Sequence, residues 1–207
     1  MNLAAQLADG VAQLGLSLPP QTHQKLLDYL ALLDKWNQAY NLTAVRDPSE
    51  MVGQHLLDCL AVVPYISAAT ILDVGSGAGL PGVPLALALP RAQVTLLDSS
   101  QKKTAFLRQA VIELALGNAT VECVRAEHWS VPKPFDLVIS RALSDLTEFV
   151  LLAGHLVAPG GTLAAMKGVY PHEELAHLPD GFRLRRAQAL NIPGLRVARH
   201  LLLLERS

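Results

Sequence analysis

Asp73, Gly75, Gly77, Gly79 and Gly82 crowd into the string Leu72-Asp73-Val74-Gly75-Ser76-Gly77-Ala78-Gly79-Leu80-Pro81-Gly82. The apolar run from Ile71 to Val74 leads into it, and a leucine- and alanine-rich stretch leads out. That texture predicts a buried strand, a glycine turn and a helix start. Glycine lets the backbone approach a ligand closely, and the free amides at a helix start attract anions or hydroxyls. The chemistry on offer is nucleotide cradling. Gly77-Ala78-Gly79-Leu80-Pro81-Gly82 is also a literal G-x-G-x-x-G, the dinucleotide signature, which is weak when it stands alone. An ordinary strand-to-helix turn is the plain alternative.

Further residues able to do chemistry fall where later strands are expected to end. Asp98 follows the turn by about 20 residues, a distance that suits a carboxylate accepting from ribose hydroxyls. It equally suits a cap for a helix from Gln101. In Arg125-Ala126-Glu127, a backbone amide and a carboxylate suit the reading of an adenine, although Glu127 also reads as a solvated surface charge. Arg141, within Ser140-Arg141-Ala142-Leu143, would face a cofactor carboxylate or a nucleic acid. Its alternative is a surface ion pair with Asp145, worth little. Lys167 stands in Met166-Lys167-Gly168. Together Lys102, Lys103, Arg108, Arg125, Arg141 and Lys167 would share one basic rim, which suits a polyanionic substrate. His55 reads as a packing residue, and the remaining histidines lack metal-ligand spacing.

The elements that must hold these residues can be laid out in order. Asn2–Gly15 reads as a weakly amphipathic helix, and Gln21–Gln38 as a stronger one with leucines at helical spacing. Asn41-Leu42-Thr43 is a connector. Asp47-Pro48-Ser49-Glu50 announces another helix, with Asp47 as cap and Pro48 in the first position. Val52, Leu56, Cys59, Leu60 and Val63 form its apolar face. From Thr70 the pattern changes to strands at Thr70–Val74, Gln93–Leu97, Thr120–Val124, Phe135–Ser140 and Gly161–Lys167. Helices are expected between them at Pro81–Ala88, Gln101–Leu116 and Asp145–Val157. Apolar strands alternating with amphipathic helices imply a doubly wound, mostly parallel sheet. Phe182–Ala189 and Val197–Arg206 are close enough to form a terminal antiparallel pair.

Composition bounds the rest. The 207 residues are 51% hydrophobic, ample for a core, and carry a formal net charge of -1. A nucleic-acid site must therefore be a local patch rather than the whole surface. Cys59 and Cys123 match neither a zinc site nor a disulfide framework, and they read as free thiols of a reducing cytoplasm. No stretch reaches the roughly 18 apolar residues of a membrane span. Neither a membrane nor a metal is expected.

The string Asp73-x-Gly75-x-Gly77-x-Gly79 resembles motif I of S-adenosylmethionine-dependent methyltransferases. The whole chain is similar, nearly end to end, to the bacterial small-subunit ribosomal RNA methyltransferase G family, also called glucose-inhibited division protein B. The resemblance rests on Trp36-Asn37-x-x-Tyr40-Asn41-Leu42-Thr43, His55-Leu56-Leu57-Asp58, the glycine string, and Asp98-Ser99-x-x-Lys102-Lys103. Arg125-Ala126-Glu127, Ser140-Arg141-Ala142 and Met166-Lys167-Gly168 complete it. It implies an α/β, Rossmann-like class I methyltransferase with a seven-stranded, mostly parallel sheet. Residues 1–66 would be a helical extension and 67–207 the catalytic domain, packed as one unit.

By the same resemblance the activity is methyl transfer from S-adenosylmethionine to N7 of one guanine in the decoding-site loop of 16S rRNA. The substrate would be that rRNA or the small ribosomal subunit, and the enzyme a cytoplasmic monomer. Cofactor contacts are expected at Gly75, Gly77, Gly79, Leu80, Asp98, Ala126, Glu127 and Arg141. Arg141, Asn41 and Lys167 are the expected catalytic residues; Lys102, Lys103, Arg125 and Lys167 would bind RNA. The competing readings are a nicotinamide-dependent oxidoreductase, a small-molecule methyltransferase and a non-catalytic ribosome-binding module.

Overall fold

A computed structural model describes residues 2–141 and 145–206. The chain opens on two helices, α1 (Leu3–Gln13) and α2 (Pro20–Tyr40). Asn2 caps the first, its side chain accepting from the Ala4 N–H at 2.9 Å. Pro20 starts the second, where a missing N–H goes unnoticed. Asp47 begins the next helical run as expected, accepting from the Ser49 N–H at 2.8 Å.

That run is not one regular helix. α3 (Pro48–Met51) passes into a π-helical turn over Val52–Leu57, and α4 (Asp58–Leu60) follows. The wider turn shifts the phase of the side chains. Polar residues His55 and Asp58 are thereby buried alongside Leu56, Leu57, Cys59 and Leu60. A single 3.6-residue period does not describe this segment.

The sheet comprises β1 (Thr70–Val74), β2 (Gln93–Leu97), β3 (Ala119–Glu122), β4 (Phe135–Ser140), β5 (Val157–Lys167), β6 (Phe182–Ala189) and β7 (His200–Arg206). These seven strands lie in the order β3-β2-β1-β4-β5-β7-β6. β1 to β5 are mutually parallel, and β7 runs antiparallel to both β5 and β6. Helices α5 (Gly82–Ala88), α6 (Gln101–Glu113), α7 (Leu146–Ala153) and α8 (His172–Ala176) connect the strands. Strand order reverses between β1 and β4, so their carboxyl ends mark the switch point where a ligand crevice is expected.

Both faces of the sheet are covered. On β1, Ile71 joins one apolar cluster with residues of α1, α2, α5 and α6, while Leu72 and Val74 join another around Leu146 and Phe149 of α7. The opening helices thus pack into the same core as the sheet.

Several boundaries differ from expectation. α6 stops at Glu113 rather than Leu116, because Ala115 turns left-handed (φ 48) and the Leu116 N–H reaches back to the Val111 carbonyl. β5 starts at Val157 rather than Gly161: Pro159 and Gly160 look like a break, yet Val157 still pairs with Phe135 across a bulge. β7 starts at His200 rather than Val197.

Gly82 lies where α5 presses against β1 and β2. A Cβ there would sit 2.2 Å from Leu96 Cδ2 and 2.6 Å from Asp73 Oδ2. We expect Gly82→Ala to destabilise the fold by about 1–3 kcal/mol through overpacking. Urea denaturation measures this, and an unchanged midpoint would show that the packing yields freely.

Candidate active site

The turn after β1 is held from every side. Gly75, Gly77 and Gly79 all take positive φ (69, 58 and 88), which lets the chain curl tightly enough to present its amides. The Ser76 N–H donates to the Leu97 carbonyl at 2.9 Å, tying the turn to the end of β2. The Gly77 N–H donates to Asp98 Oδ2 at 3.0 Å. From the opening helices, the Tyr29 hydroxyl donates to the Ala78 carbonyl in a buried contact.

Asp73 closes the turn from beneath. Its side chain is 0% exposed, and Oδ2 accepts from the Gly82 N–H at 2.9 Å, while Oδ1 has no partner among the described residues. Burial pushes its carboxyl up to about 7. The nearby Ser76 hydroxyl, which donates to the Asp73 backbone carbonyl at 2.9 Å, the Gly82 N–H and the charge of Arg141 oppose that rise, and Asp98 adds to it.

Above the turn, between the ends of β1, β2 and β3, lies a cavity of about 270 Å³ lined by Gly75, Asp98, Lys103, Ala126, Glu127 and Leu152. Asp98 is buried, and its Oδ1 accepts from the Ser100 N–H at 2.9 Å. Ser100, not Asp98, caps α6, accepting from the Lys103 N–H. Ala126, itself buried, opens a 3-10 turn over Ala126–His128. Glu127 stays on the surface, 3.5 Å from Arg125; its own backbone N–H, then Arg125, hold its carboxyl below the usual range. Leu80 is buried behind the turn. A larger cavity of about 630 Å³ sits at the opposite, amino-terminal ends of the strands, beside Ala68, Leu89 and Asp136. The Asp136 carboxylate there is already taken by the Ala69 and Thr70 amides. No glycine is among the residues that line it.

The other side of the switch point is cationic. Arg141, at the end of β4, donates from Nη1 to Asp58 Oδ2 at 3.2 Å and to the Gln54 carbonyl at 3.0 Å. The alternative of a surface ion pair with Asp145 is not what forms: Asp145 caps α7 by accepting from the Glu148 N–H. Arg199 Nε donates to Asp58 Oδ1 at 3.0 Å. Lys167 is only 9% exposed and lies 2.7 Å from Glu174. His55 Nε2 meets Thr43 Oγ1 at 2.9 Å, and burial followed by the charge of Arg141 pushes its imidazole down to about 4.

The expected basic rim is thus divided. Lys103 lies 3.6 Å from Asp98 and lines the cavity, whereas Lys102 points outward over the Tyr40 ring at 5.3 Å. Arg108 is exposed farther along α6. Lys167 lies within the protein rather than on an open edge. Asn41 caps α2 in the left-handed region (φ 49), its side chain accepting from Arg46 Nη2 at 2.6 Å. Ala142 and Leu143, included in the loop after β4, lie outside the described residues. Asp58, Arg199 and Glu174 carry no role in the sequence reading. Of these, only Asp58 left a trace, as the last residue of His55-Leu56-Leu57-Asp58.

A carboxyl raised by folding contributes stability that is complete below its unfolded pKa and is lost as pH rises through its folded one. We therefore expect Asp73→Asn to gain melting temperature relative to the wild type between pH 5 and about 7, then level off. Thermal scans across that range decide it; a constant difference would show that Asp73 stays ionised throughout.

Comparison with known proteins agrees with this geometry. Residues 22–202 match the family model described as rRNA small subunit methyltransferase G. A protein of Nitrosospira multiformis named ribosomal RNA small subunit methyltransferase G is 55% identical over 214 residues, covering 100% of this chain and 99% of its own length. One of the same name from Laribacter hongkongensis is 51% identical, with 97% of each chain covered. Among solved structures, the N-methyltransferase NodS from Bradyrhizobium japonicum, in complex with S-adenosyl-L-homocysteine, superposes with a TM-score of 0.57. It is 13% identical, and 84% of this chain and 98% of that one are covered. TrmN from Thermus thermophilus gives 0.57 at 22% identity, over 83% of this chain and 53% of that one. These structures share the class I methyltransferase fold, and on the sequence evidence the chain belongs to the rRNA small subunit methyltransferase G family.

Proposed function

We propose that this chain methylates N7 of a single guanine in the decoding-site loop of 16S rRNA, with S-adenosylmethionine as donor. One observation carries the reading. In a chain of this family, a glycine-lined cleft and a pair of arginines flank the same switch point. When bound, the donor supplies a methyl group already activated by a sulfonium centre. The residues present fit it. The positive-φ glycine turn would lie against its amino-acid part, Asp98 has acceptor capacity left for hydroxyls, and Ala126 and Glu127 would border the base. We also propose residues 1–66 as an extension packed as one unit with the domain 67–207, acting as a cytoplasmic monomer.

The chemistry asks little of the protein beyond placement. Guanine N7 carries an in-plane lone pair, so the attack needs no general base and no covalent intermediate. Cys59 is unsuited to nucleophilic attack, since burial pushes its thiol up and it faces the core. His55 stays neutral at working pH. Catalysis is then alignment and exclusion of water. Arginine readily donates to guanine O6 and N7 together. A donor on N7 would occupy the attacking lone pair, so Arg141 serves O6, a phosphate or the cofactor instead. The base would be presented from an exposed loop, splayed out of its stack. Lys102, Arg125 and Arg108 supply the outer contacts with RNA, and Asn41 and Lys167 shape the substrate side. Lys103, beside Asp98, acts on the cofactor side as well as on the rim.

The test is primer-extension mapping of N7-methylguanine on small subunits treated with protein and S-adenosylmethionine. One modified guanine is expected, and none with Gly75→Val, whose β-branched side chain cannot adopt the left-handed backbone. Methyl transfer to metabolites alone would contradict the reading. Lys102→Glu should leave S-adenosylhomocysteine affinity unchanged while lowering the salt slope of RNA binding by about 1. An unchanged slope in filter binding would remove Lys102 from the RNA surface.

A further inference from the structure

Tyr29 of α2 is 0% exposed, and its hydroxyl donates to the Ala78 carbonyl. The two residues are 49 apart in sequence, so a side chain of the opening helices reaches into the middle of the glycine turn. Burial, more than any nearby charge, keeps this phenol protonated well above its ordinary range, and it remains a donor at any working pH.

The peptide that accepts this bond is the one in the turn most free to rotate. Ala78 stands between Gly77 (φ 58) and Gly79 (φ 88). Half a rotation of the Ala78–Gly79 peptide would carry the φ of Gly79 from positive to negative, and glycine tolerates both. The same rotation would break the bond from the Gly79 N–H to the Ser76 carbonyl, at 2.7 Å. Without the hydroxyl, the buried Ala78 carbonyl has no partner among the described residues, and an unpaired buried acceptor is driven to turn toward water. With the hydroxyl in place, one orientation is fixed. The preceding residue, Gly77, donates its N–H to Asp98 Oδ2 at 3.0 Å, and Asp98 lines the cleft together with Gly75. Direct contacts therefore run from α2 through the turn to the cleft wall. The Tyr29 ring also packs on Phe106 of α6, with centroids 6.5 Å apart, and Trp36 meets Phe106 edge-on at 5.6 Å. Phenylalanine at position 29 would serve that packing equally well. The hydroxyl has a separate use.

We propose that Tyr29 is a positioning residue for the methyl donor: its hydroxyl holds the Ala78–Gly79 peptide in the one orientation that lets the glycine turn and Asp98 receive the donor. This rests on the reading above that the glycine-lined cleft takes S-adenosylmethionine. No residue of α2 lines that cleft, so the opening helices act on donor binding without touching the donor. A residue acting in this way sets donor affinity and leaves the transfer step and the RNA contacts alone.

The experiment compares the full chain with Tyr29→Phe. It measures S-adenosylhomocysteine Kd by calorimetry, methylation of small subunits at saturating donor, and amide hydrogen exchange. Losing the net worth of one hydrogen bond, Tyr29→Phe is expected to raise the Kd about fivefold. Once the donor saturates, kcat and the KM for subunits should match the wild type. Exchange should quicken at Gly79 and Leu80, whose N–H groups both donate to the Ser76 carbonyl, and stay unchanged along α6. Two non-natural side chains separate the hydrogen bond from the space it fills. With 4-aminophenylalanine in place of Tyr29 a donor is kept, and the Kd should return to the wild-type value. With 4-methylphenylalanine the space is filled without a donor, and the Kd should stay raised. That pair decides the matter if Tyr29→Phe, with its small void, does not fold. The proposal is overturned if Tyr29→Phe leaves the Kd unchanged, if kcat at saturating donor falls in step with affinity, if exchange quickens equally along α6, or if the methyl analogue restores binding as well as the amine. A wild-type chain that does not bind S-adenosylhomocysteine would instead overturn the reading of the cleft, and the role of Tyr29 with it.

Discussion

A carboxylate cut off from water holds the glycine turn shut. Asp73, next to last in β1, accepts from the first amide of α5, so strand and helix are joined through one side chain across the turn. Every other constraint at the site follows from that closure. Gly82 must lack a Cβ because Asp73 and Leu96 fill the space. Between them the chain must reverse tightly, which calls for left-handed glycines at 75, 77 and 79. Asp98 then meets the Gly77 amide, and Tyr29 reaches the Ala78 carbonyl from α2. An ionised group at full burial is expensive, and the carboxyl responds by holding its proton to near-neutral pH.

From this closed turn the molecule divides its work across the switch point. The β1-β2-β3 half carries amides, Asp98 and the Ala126–His128 turn around a cleft. The β4-β5-β7 half carries Arg141, Arg199 and Lys167, each held by a carboxylate from another element. The opening helices serve both halves. Tyr29 braces the turn, and the π-helical segment supplies Asp58 and the Gln54 carbonyl to Arg141. A separate appendage would leave both contacts unmade.

What was legible in the sequence was whatever is encoded locally. Thr70–Val74, Gln93–Leu97, Phe135–Ser140 and Phe182–Ala189 stand where their runs place them, because each run is bounded by turn residues. The glycine turn and Asp98 could be found because their spacing is set by a single β-α-β unit. The pairing of Asp58 with Arg141 and Arg199 could not. Its arms come from residues far apart in the chain, and the π-helical turn that aims them leaves no periodic signature. Lys167 shows the opposite failure. A lysine at a strand end looks like a free cation until the fold brings Glu174 against it.

The central claim is that the glycine-lined cleft, and not the larger cavity at the far end of the strands, receives the methyl donor. Amide chemical-shift mapping during titration with S-adenosylhomocysteine tests it directly. The largest shifts are expected at Gly75, Gly77, Asp98, Ala126 and Glu127. Shifts concentrated instead at Ala68, Leu89 and Arg91 would place the ligand at the opposite end of the sheet and contradict it.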